Sequence, residues 1–232
     1  MKTFLSVLVL ALLLTGLASA TTIYDAAADF SLAGNPNGVW SYGYETTLGG
    51  TFTAFTDSTN AFMGNGSLSA WYIPNSELAP DLPAVIKNTS GSTLTWITVV
   101  QPADMLDLHP GQFGELSVVR FTAPANATYI LSGLVQGLDT GNTTTDIFAE
   151  INGAPAGNAP IYSFGATAEI HGTLALSAGD KVDFLVDYGT DGNFYNDSTG
   201  LQLTVESVPE PASWTLLVAG IGLFGAFARR RK

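Results

Sequence analysis

Apolar and polar residues alternate with a period of two along much of the chain between Thr21 and Val208. The alternation is clear in five segments: 116–121, 129–135, 147–151, 182–187 and 201–206. A period of two puts successive side chains on opposite faces of a β-strand, so each segment predicts a strand with one face toward a core. The run 93–100 is rich in β-branched and aromatic residues and predicts a further strand.

Turn-forming residues cluster between these segments, for example at 34–38, 64–66, 137–142 and 191–193. Short strands separated by Gly, Pro, Asn and Asp clusters are typical of an all-β sandwich. The dipeptides Asn152-Gly153 and Gly179-Asp180 predict hairpin turns. The pattern therefore predicts one all-β, antiparallel β-sandwich domain over residues 21–207.

The first twenty residues have the pattern of a secretory signal peptide. Lys2 precedes the apolar run 4–14, and Ala18 and Ala20 offer the small side chains that signal peptidase accepts. A membrane helix is the alternative, but the apolar run is short for one. We expect cleavage after Ala20, which predicts export of the remaining chain.

The C-terminal residues 208–232 have three parts in a fixed order. The motif Val208-Pro209-Glu210-Pro211 comes first, the apolar stretch 212–228 follows, and the basic tail ends the chain with Arg229, Arg230, Arg231 and Lys232. The prolines keep the motif extended, and the apolar stretch has about the minimum length of a membrane helix. The cations are expected to stay in the cytoplasm, which leaves the motif outside. A permanent single-pass anchor is the alternative.

This C-terminal arrangement resembles the PEP-CTERM sorting signal of exported bacterial proteins. The resemblance implies an exosortase as a partner, a membrane protease that recognises the motif and removes the tail. It also implies anchoring in the inner membrane through the C-terminal helix during transit. The final location would then be the cell surface or the extracellular polysaccharide matrix.

The body of the protein is strongly acidic. Between Thr21 and Val208 only Lys87, Arg120 and Lys181 balance 19 carboxylates, which gives a formal charge of −16. Such a body repels phosphate backbones, so the sequence predicts no nucleic-acid partner. The absence of cysteine excludes disulfides, a thiolate nucleophile and Cys-type zinc sites.

The strand and turn motifs of the body also show a resemblance. The segments are 108–111, 117–124, 127–133, 147–153, 176–184 and 196–201. They resemble a β-sandwich module that recurs in PEP-CTERM proteins and, more loosely, jelly-roll carbohydrate-binding modules. The resemblance implies a jelly-roll-like scaffold.

The sequence has little that suggests catalysis. His109 and His171 are the only imidazoles, and neither a G-x-S-x-G nor an H-E-x-x-H motif is present. A turn role is predicted for His109, and a surface or core role for His171. Two carboxylates could hydrolyse a glycoside, but the sequence does not select a pair. We therefore predict that the protein is not an enzyme.

One loop is rich in oxygen ligands. Five oxygen-bearing side chains lie close together in the sequence: Asp187, Asp191, Asn193, Asn196 and Asp197. Calcium prefers six to eight such oxygens, so the loop predicts a structural calcium site. The alternative is a polar loop closed by Asx turns.

Aromatic residues offer candidate glycan contacts. Trp40, Tyr42 and Tyr44 alternate with small residues, so they share one strand face and could stack on sugar rings. Packing in the core is the alternative use for this face. Other aromatic candidates are Trp71, Tyr72, Tyr162, Phe194 and Tyr195. Of these, Trp71 lies in a predicted strand, as does Trp96, and for both we favour packing in the core.

These observations predict a non-catalytic structural or adhesive protein of an extracellular polysaccharide or biofilm matrix. A specific, lectin-like carbohydrate-binding module is the alternative, and a glycoside-active enzyme is the least favoured. Signal peptidase, the exosortase and extracellular polysaccharide are the predicted partners. No cofactor is required, apart from the predicted structural calcium.

Overall fold

The computed structural model describes residues 21–74 and 82–208. The predicted signal peptide, the motif from Pro209 onward, the apolar stretch and the basic tail lie outside the described residues. Within the described ranges, no helix has the length and apolar character needed to cross a membrane.

Sixteen β-strands and one 3-10 turn, at Phe62–Gly64, account for the regular structure of the described residues. The strands are β1 Thr22–Asp25, β2 Trp40–Glu45, β3 Thr53–Ala54, β4 Asp57–Thr59, β5 Leu68–Tyr72, β6 Ala84–Asn88, β7 Leu94–Trp96, β8 Val99–Gln101, β9 Leu106–His109, β10 Leu116–Thr122, β11 Ala127–Gly137, β12 Thr145–Ile151, β13 Ala154–Ile161, β14 Thr167–Leu176, β15 Lys181–Val186 and β16 Thr199–Val208. The prediction of an all-β body is confirmed.

Two sheets form the sandwich. The larger has eight strands in the order β14-β11-β16-β9-β6-β5-β4, with β1 also paired to β16. The smaller has six strands in the order β13-β12-β15-β10-β2-β3. Strands β7 and β8 form a separate two-stranded ribbon, and all of these pairings are antiparallel.

The main core lies between the two sheets. Phe121 of the smaller sheet contacts Trp40 of its own sheet at a ring-centroid distance of 5.4 Å. Its ring also meets Tyr129 of the larger sheet at 5.5 Å, in a T-shaped arrangement. All three side chains are fully buried, as the period-two pattern predicts for one strand face.

Both sheets also carry buried apolar residues on their outer faces. On the larger sheet these are Leu68, Ala70, Ala84 and Ile86, with Phe62 of the 3-10 turn packed against them. On the smaller sheet they are Leu116, Val118 and Leu185, with Phe52 packed against them. Long connections therefore cover parts of both outer faces, and this explains why several strands are apolar at successive positions.

The structure corrects two local predictions. Run 93–100 is not one strand, because the chain reverses at Ile97, which has a φ of 49°, and forms the β7–β8 hairpin. Gly179-Asp180 joins β14 and β15, which belong to different sheets, so it is a crossover and not a hairpin. The Asn152-Gly153 hairpin is confirmed, since both residues have positive φ and join the paired strands β12 and β13.

Candidate functional site

A cavity of about 320 Å³ lies against the outer face of the larger sheet. Its floor includes Ile86 of β6 and His109 of β9, while the β7–β8 hairpin, the 3-10 turn and the segment 194–198 supply further lining. The lining residues are Phe62, Met63, Leu82, Ile86, Trp96, Ile97, Thr98, Val99, His109, Asp139, Phe194, Tyr195, Asn196 and Ser198. This volume is near the lower end of the range for small-molecule sites in proteins.

Aromatic rings form much of the lining. Phe62 and Trp96 meet edge to face, with 6.4 Å between ring centroids and an interplanar angle of 88°. The ring centroid of Phe194 lies 4.3 Å from that of Tyr195 and 6.5 Å from that of His109. Rings that support one another in this way have little freedom left to lose when a ligand binds.

The mouth of the cavity has unusually exposed apolar side chains. Ile97 is 73%, Tyr195 is 59% and Met63 is 50% exposed to solvent. Apolar groups clustered in one place on a soluble surface mark a binding site more often than scattered ones do.

Backbone strain concentrates at the same place. Four non-glycine residues among those described have positive φ, and Met63, Ile97 and Asn196 line this cavity. A positive φ is an outlier for a β-branched residue such as Ile97 and costs on the order of 1–3 kcal/mol. Strain of this kind persists where the surrounding structure holds a residue in place, often at a ligand site.

Polar groups at the cavity include one well-anchored carboxylate. Asp139 Oδ2 accepts a hydrogen bond from the Ser198 backbone N–H at 3.1 Å, and Oδ1 accepts one from the Thr98 hydroxyl. Two other polar atoms of lining residues, Trp96 Nε1 and Ser198 Oγ, are buried without a partner in hydrogen-bonding geometry. Both atoms are shielded from solvent, and Ser198 lies close enough to Asp107 to lower the pKa of that carboxyl by hydrogen bonding. Among the polar lining residues described, the partly exposed Asn196 has an amide that a ligand can reach.

Two titratable groups on strand β9 share this face of the sheet. Asp107 is fully buried, and burial together with the nearby Asp139 raises its pKa well above the ordinary value. Burial lowers the pKa of His109, whose Nδ1 lies 3.0 Å from the Pro110 carbonyl oxygen. Burial therefore shifts both groups toward their neutral forms.

The aromatic residues singled out in the sequence lie elsewhere. Trp40 and Tyr42 are completely buried in the core between the sheets, and Tyr44 is half-buried with its ring stacked 5.9 Å from Phe55. Burial removes Trp40 and Tyr42 as glycan contacts, because a sugar must reach an exposed ring face. Their alternation reports the core face of β2, which was the alternative use.

The sequence did not predict that Trp96 lines a cavity. It assigned this residue to the core of a single strand, whereas the hairpin turn brings Trp96 to the cavity. Nothing local marks that turn, because Ile97 disfavours the positive φ that the turn requires. Phe194 and Tyr195 were among the aromatic candidates, and the structure places both at the cavity.

The oxygen-rich loop is held by its own backbone contacts. Asp191 Oδ1 accepts from the Asn193 N–H at 2.9 Å, and Asn193 Oδ1 accepts from the Tyr195 N–H at 3.0 Å. Asp187 Oδ1 accepts from Gly189 N–H at 2.9 Å. These are the Asx turns of the alternative interpretation. The calcium prediction for Asp187, Asp191, Asn193, Asn196 and Asp197 stays a prediction.

Several solved structures are loosely similar to the chain. A family 51 carbohydrate-binding module from Clostridium perfringens, determined with methyl-galactose, has a TM-score of 0.33 and 11% identity over 44% of this chain and 68% of its own. A family 35 module from Clostridium thermocellum has a TM-score of 0.31 and 12% identity, covering 81% and 98%. Rabbit GITRL has a TM-score of 0.29 and 17% identity, covering 40% and 73%. These TM-scores are too low to transfer a site or a ligand. No curated protein matches the chain.

The C-terminal residues match a known sorting signal. Residues 207–232 match the family model described as the PEP-CTERM protein-sorting motif. Of the predicted motif residues, the structure describes Val208, which ends strand β16 and pairs with Thr128 of β11. The sandwich therefore leads directly into the sorting segment. The chain carries a PEP-CTERM protein-sorting motif at its C-terminus, which implies export, anchoring in the membrane during transit and processing by an exosortase.

Proposed function

We propose that this exported protein is a non-catalytic carbohydrate-binding protein of the cell surface or extracellular polysaccharide matrix. The observation that carries the proposal is the aromatic cavity, whose mouth exposes Met63, Ile97 and Tyr195 together. Adhesion or a structural role in the matrix would follow from binding sugar residues of the polysaccharide.

The chemistry of the lining fits a sugar. Aromatic rings offer flat apolar faces to the C–H groups of a pyranose, and the partly exposed Asn196 amide can bond its hydroxyls. A cavity of about 320 Å³ has room for one or two sugar units. The acidic body argues against an anionic ligand, so we propose a neutral sugar.

The same lining supports a binding role over hydrolysis. A glycosidase needs two carboxyl groups on either side of the scissile bond. Among the described residues that line the cavity, Asp139 alone has a carboxylate, and both of its oxygens already accept hydrogen bonds. The described lining therefore lacks the second carboxyl group that glycoside hydrolysis requires.

A glycan array with the detergent-purified, full-length protein tests the proposal, followed by calorimetry on the best hit. Replacing Tyr195 by Ala removes an exposed ring at the mouth and should weaken binding at least tenfold, about 1.4 kcal/mol. The control is Tyr162→Ala, because Tyr162 is similarly exposed at 53% but does not line the cavity.

Equal loss in both tyrosine variants would mean that the cavity is not the site. No selective glycan in the array would refute specific binding and leave a purely structural matrix role. Release of reducing sugar from the bound glycan would refute the non-catalytic assignment.

A further inference from the structure

Three buried carboxylates meet on the outer face of the smaller sheet. Glu45 ends strand β2, while Glu150 of β12 and Asp183 of β15 are register partners. One oxygen of each lies within 4.8 Å of one oxygen of the other two. Glu45 is 1% exposed and the other two are fully buried, so water does not screen their mutual repulsion.

One of the three has a strong partner. Arg120 binds Asp183 through two parallel hydrogen bonds, Nε to Oδ1 at 2.6 Å and Nη2 to Oδ2 at 2.7 Å. The guanidinium carbon also lies 3.9 Å from the ring centroid of Phe52, which covers it. The positive charge of Arg120 therefore neutralises Asp183, and the two hydrogen bonds fix the orientation of the guanidinium.

The other two carboxylates are left short of partners. Neither oxygen of Glu45 has a partner in hydrogen-bonding geometry, and its Oε1 lies 3.8 Å from Arg120 Nη2. Glu150 Oε1 accepts from the Gly49 N–H at 2.6 Å, but Oε2 has no partner. Three acids and one arginine leave a formal charge of −2 inside the protein. Buried charge of this size calls for a compensating group.

We infer that Glu45, Glu150 and Asp183 form a binding site for one divalent cation, with calcium as the ion that fits. One such ion balances the residual charge of −2. It also provides a partner for the three unpaired carboxylate oxygens.

The spacing agrees with calcium. Calcium binds oxygens at about 2.3–2.6 Å, so two oxygens on one ion lie at most about 5 Å apart. The observed limit of 4.8 Å among the three carboxylates satisfies this. The donors are all hard oxygens, which suits calcium and disfavours zinc and copper. Magnesium demands near-ideal octahedral geometry at about 2.0–2.1 Å, whereas calcium accepts irregular coordination at longer distances, so carboxylates held by three different strands suit calcium better.

The site has a cover that binding would tighten. The segment 46–52 leaves β2 at Glu45, donates the Gly49 amide to Glu150 and ends with Phe52 on Arg120. An ion bound to Glu45 and Glu150 would link the end of β2 to β12 beneath this segment. We therefore expect the ion to stabilise the sandwich and protect this segment.

The test uses the full-length protein, purified in detergent and freed of metal with a chelator. Calorimetric titration with calcium chloride, alongside native mass spectrometry, should show one ion per chain. At about ten times the Kd, the melting temperature should rise by roughly 3–6 °C. Magnesium at the same concentration should give a smaller rise.

Two matched variants locate the ion. Glu45→Gln keeps the side-chain shape but removes a ligand charge, so calcium affinity should fall at least tenfold. Asp191→Asn removes a carboxylate from the exposed loop predicted from the sequence and should leave the response unchanged. Glu150→Gln provides an independent variant of the buried cluster.

No bound ion and no thermal shift in the wild-type protein would overturn the inference. Loss of the calcium response in Asp191→Asn, with the response intact in Glu45→Gln, would place the ion in the loop and also overturn it. The calcium titration of the wild-type protein tests the inference even if a variant fails to fold.

Discussion

Replacing Arg120 by Met should destabilise the protein strongly. The change keeps much of the side-chain length and its packing on Phe52 but removes both hydrogen bonds to Asp183, at 2.6 and 2.7 Å. It leaves three buried carboxylates with no cation beside them. Breaking a buried ion pair from one side typically costs about 3–5 kcal/mol, because the remaining charge stays buried.

Equilibrium urea unfolding, with a chelator present, measures the loss in the free energy of unfolding, and a thermal melt in the same buffer measures the fall in melting temperature. In a protein of this size each kcal/mol lowers the melting temperature by about 2–4 °C, so we expect a fall of roughly 6–20 °C. Lys181→Met is the control, since it removes one cation from the neighbouring strand position but breaks only a weak contact to Gly179 O at 3.4 Å. Its cost should stay within about 0.5 kcal/mol.

A double-mutant cycle identifies the cause. Arg120→Met and Asp183→Asn together should cost clearly less than the sum of the single changes, because the double variant no longer buries an unpaired Asp183 charge. Strictly additive costs, or a loss below about 1 kcal/mol for Arg120→Met, would refute the argument that Arg120 neutralises the buried Asp183 charge.

Three further predictions concern packing, pH and sorting. Gly133→Ala should prevent pairing of β11 with β16, because the added Cβ would lie 2.2 Å from the Gln202 carbonyl oxygen. Gly172→Ala should be tolerated, because the atom nearest to its Cβ is 3.9 Å away. Thermal melts followed by circular dichroism compare the two variants. Burial and neighbouring carboxylates raise the pKa of Glu45 from 4.5 to about 7, so the folded protein binds this proton more tightly than the unfolded chain does. With a chelator present, the free energy of unfolding should therefore rise as the pH falls from 8 to 5. The difference between wild type and Glu45→Gln should change by about 3 kcal/mol over that range, and a constant difference would contradict it. Replacing 209–211 by three alanines should leave full-length protein in the inner membrane, whereas an intact Lys232 on correctly localised wild-type protein would show a permanent anchor.

The strand faces could be read directly from the sequence. Alternation at 129–135 and 182–187 reports which side chains face the core, because a strand turns its side chains over at every residue. The sorting motif is equally local, since its order of motif, apolar stretch and basic tail lies within 25 consecutive residues. Such signals survive without knowledge of any distant contact.

The aromatic cavity required the tertiary structure. Trp96 and Tyr195 are 99 positions apart in the numbering, and only the fold brings both to one cavity. The turn at Ile97 is also invisible locally, since the residue disfavours the φ of 49° that tertiary contacts impose. Trp40 and Tyr42, by contrast, looked suitable for glycans until the packing of two sheets buried them.

The carboxylate cluster shows the same division. Nineteen acids lie between Thr21 and Val208, and their number alone predicts an acidic, solvated surface. Only the strand register sets Glu150 beside Asp183, and only the end of β2 brings Glu45 to them. The sequence determined the secondary structure and the sorting signal because both depend on neighbouring residues. Pairing between distant strands decided the cavity and the cluster, because burial and charge repulsion depend on which side chains finally meet.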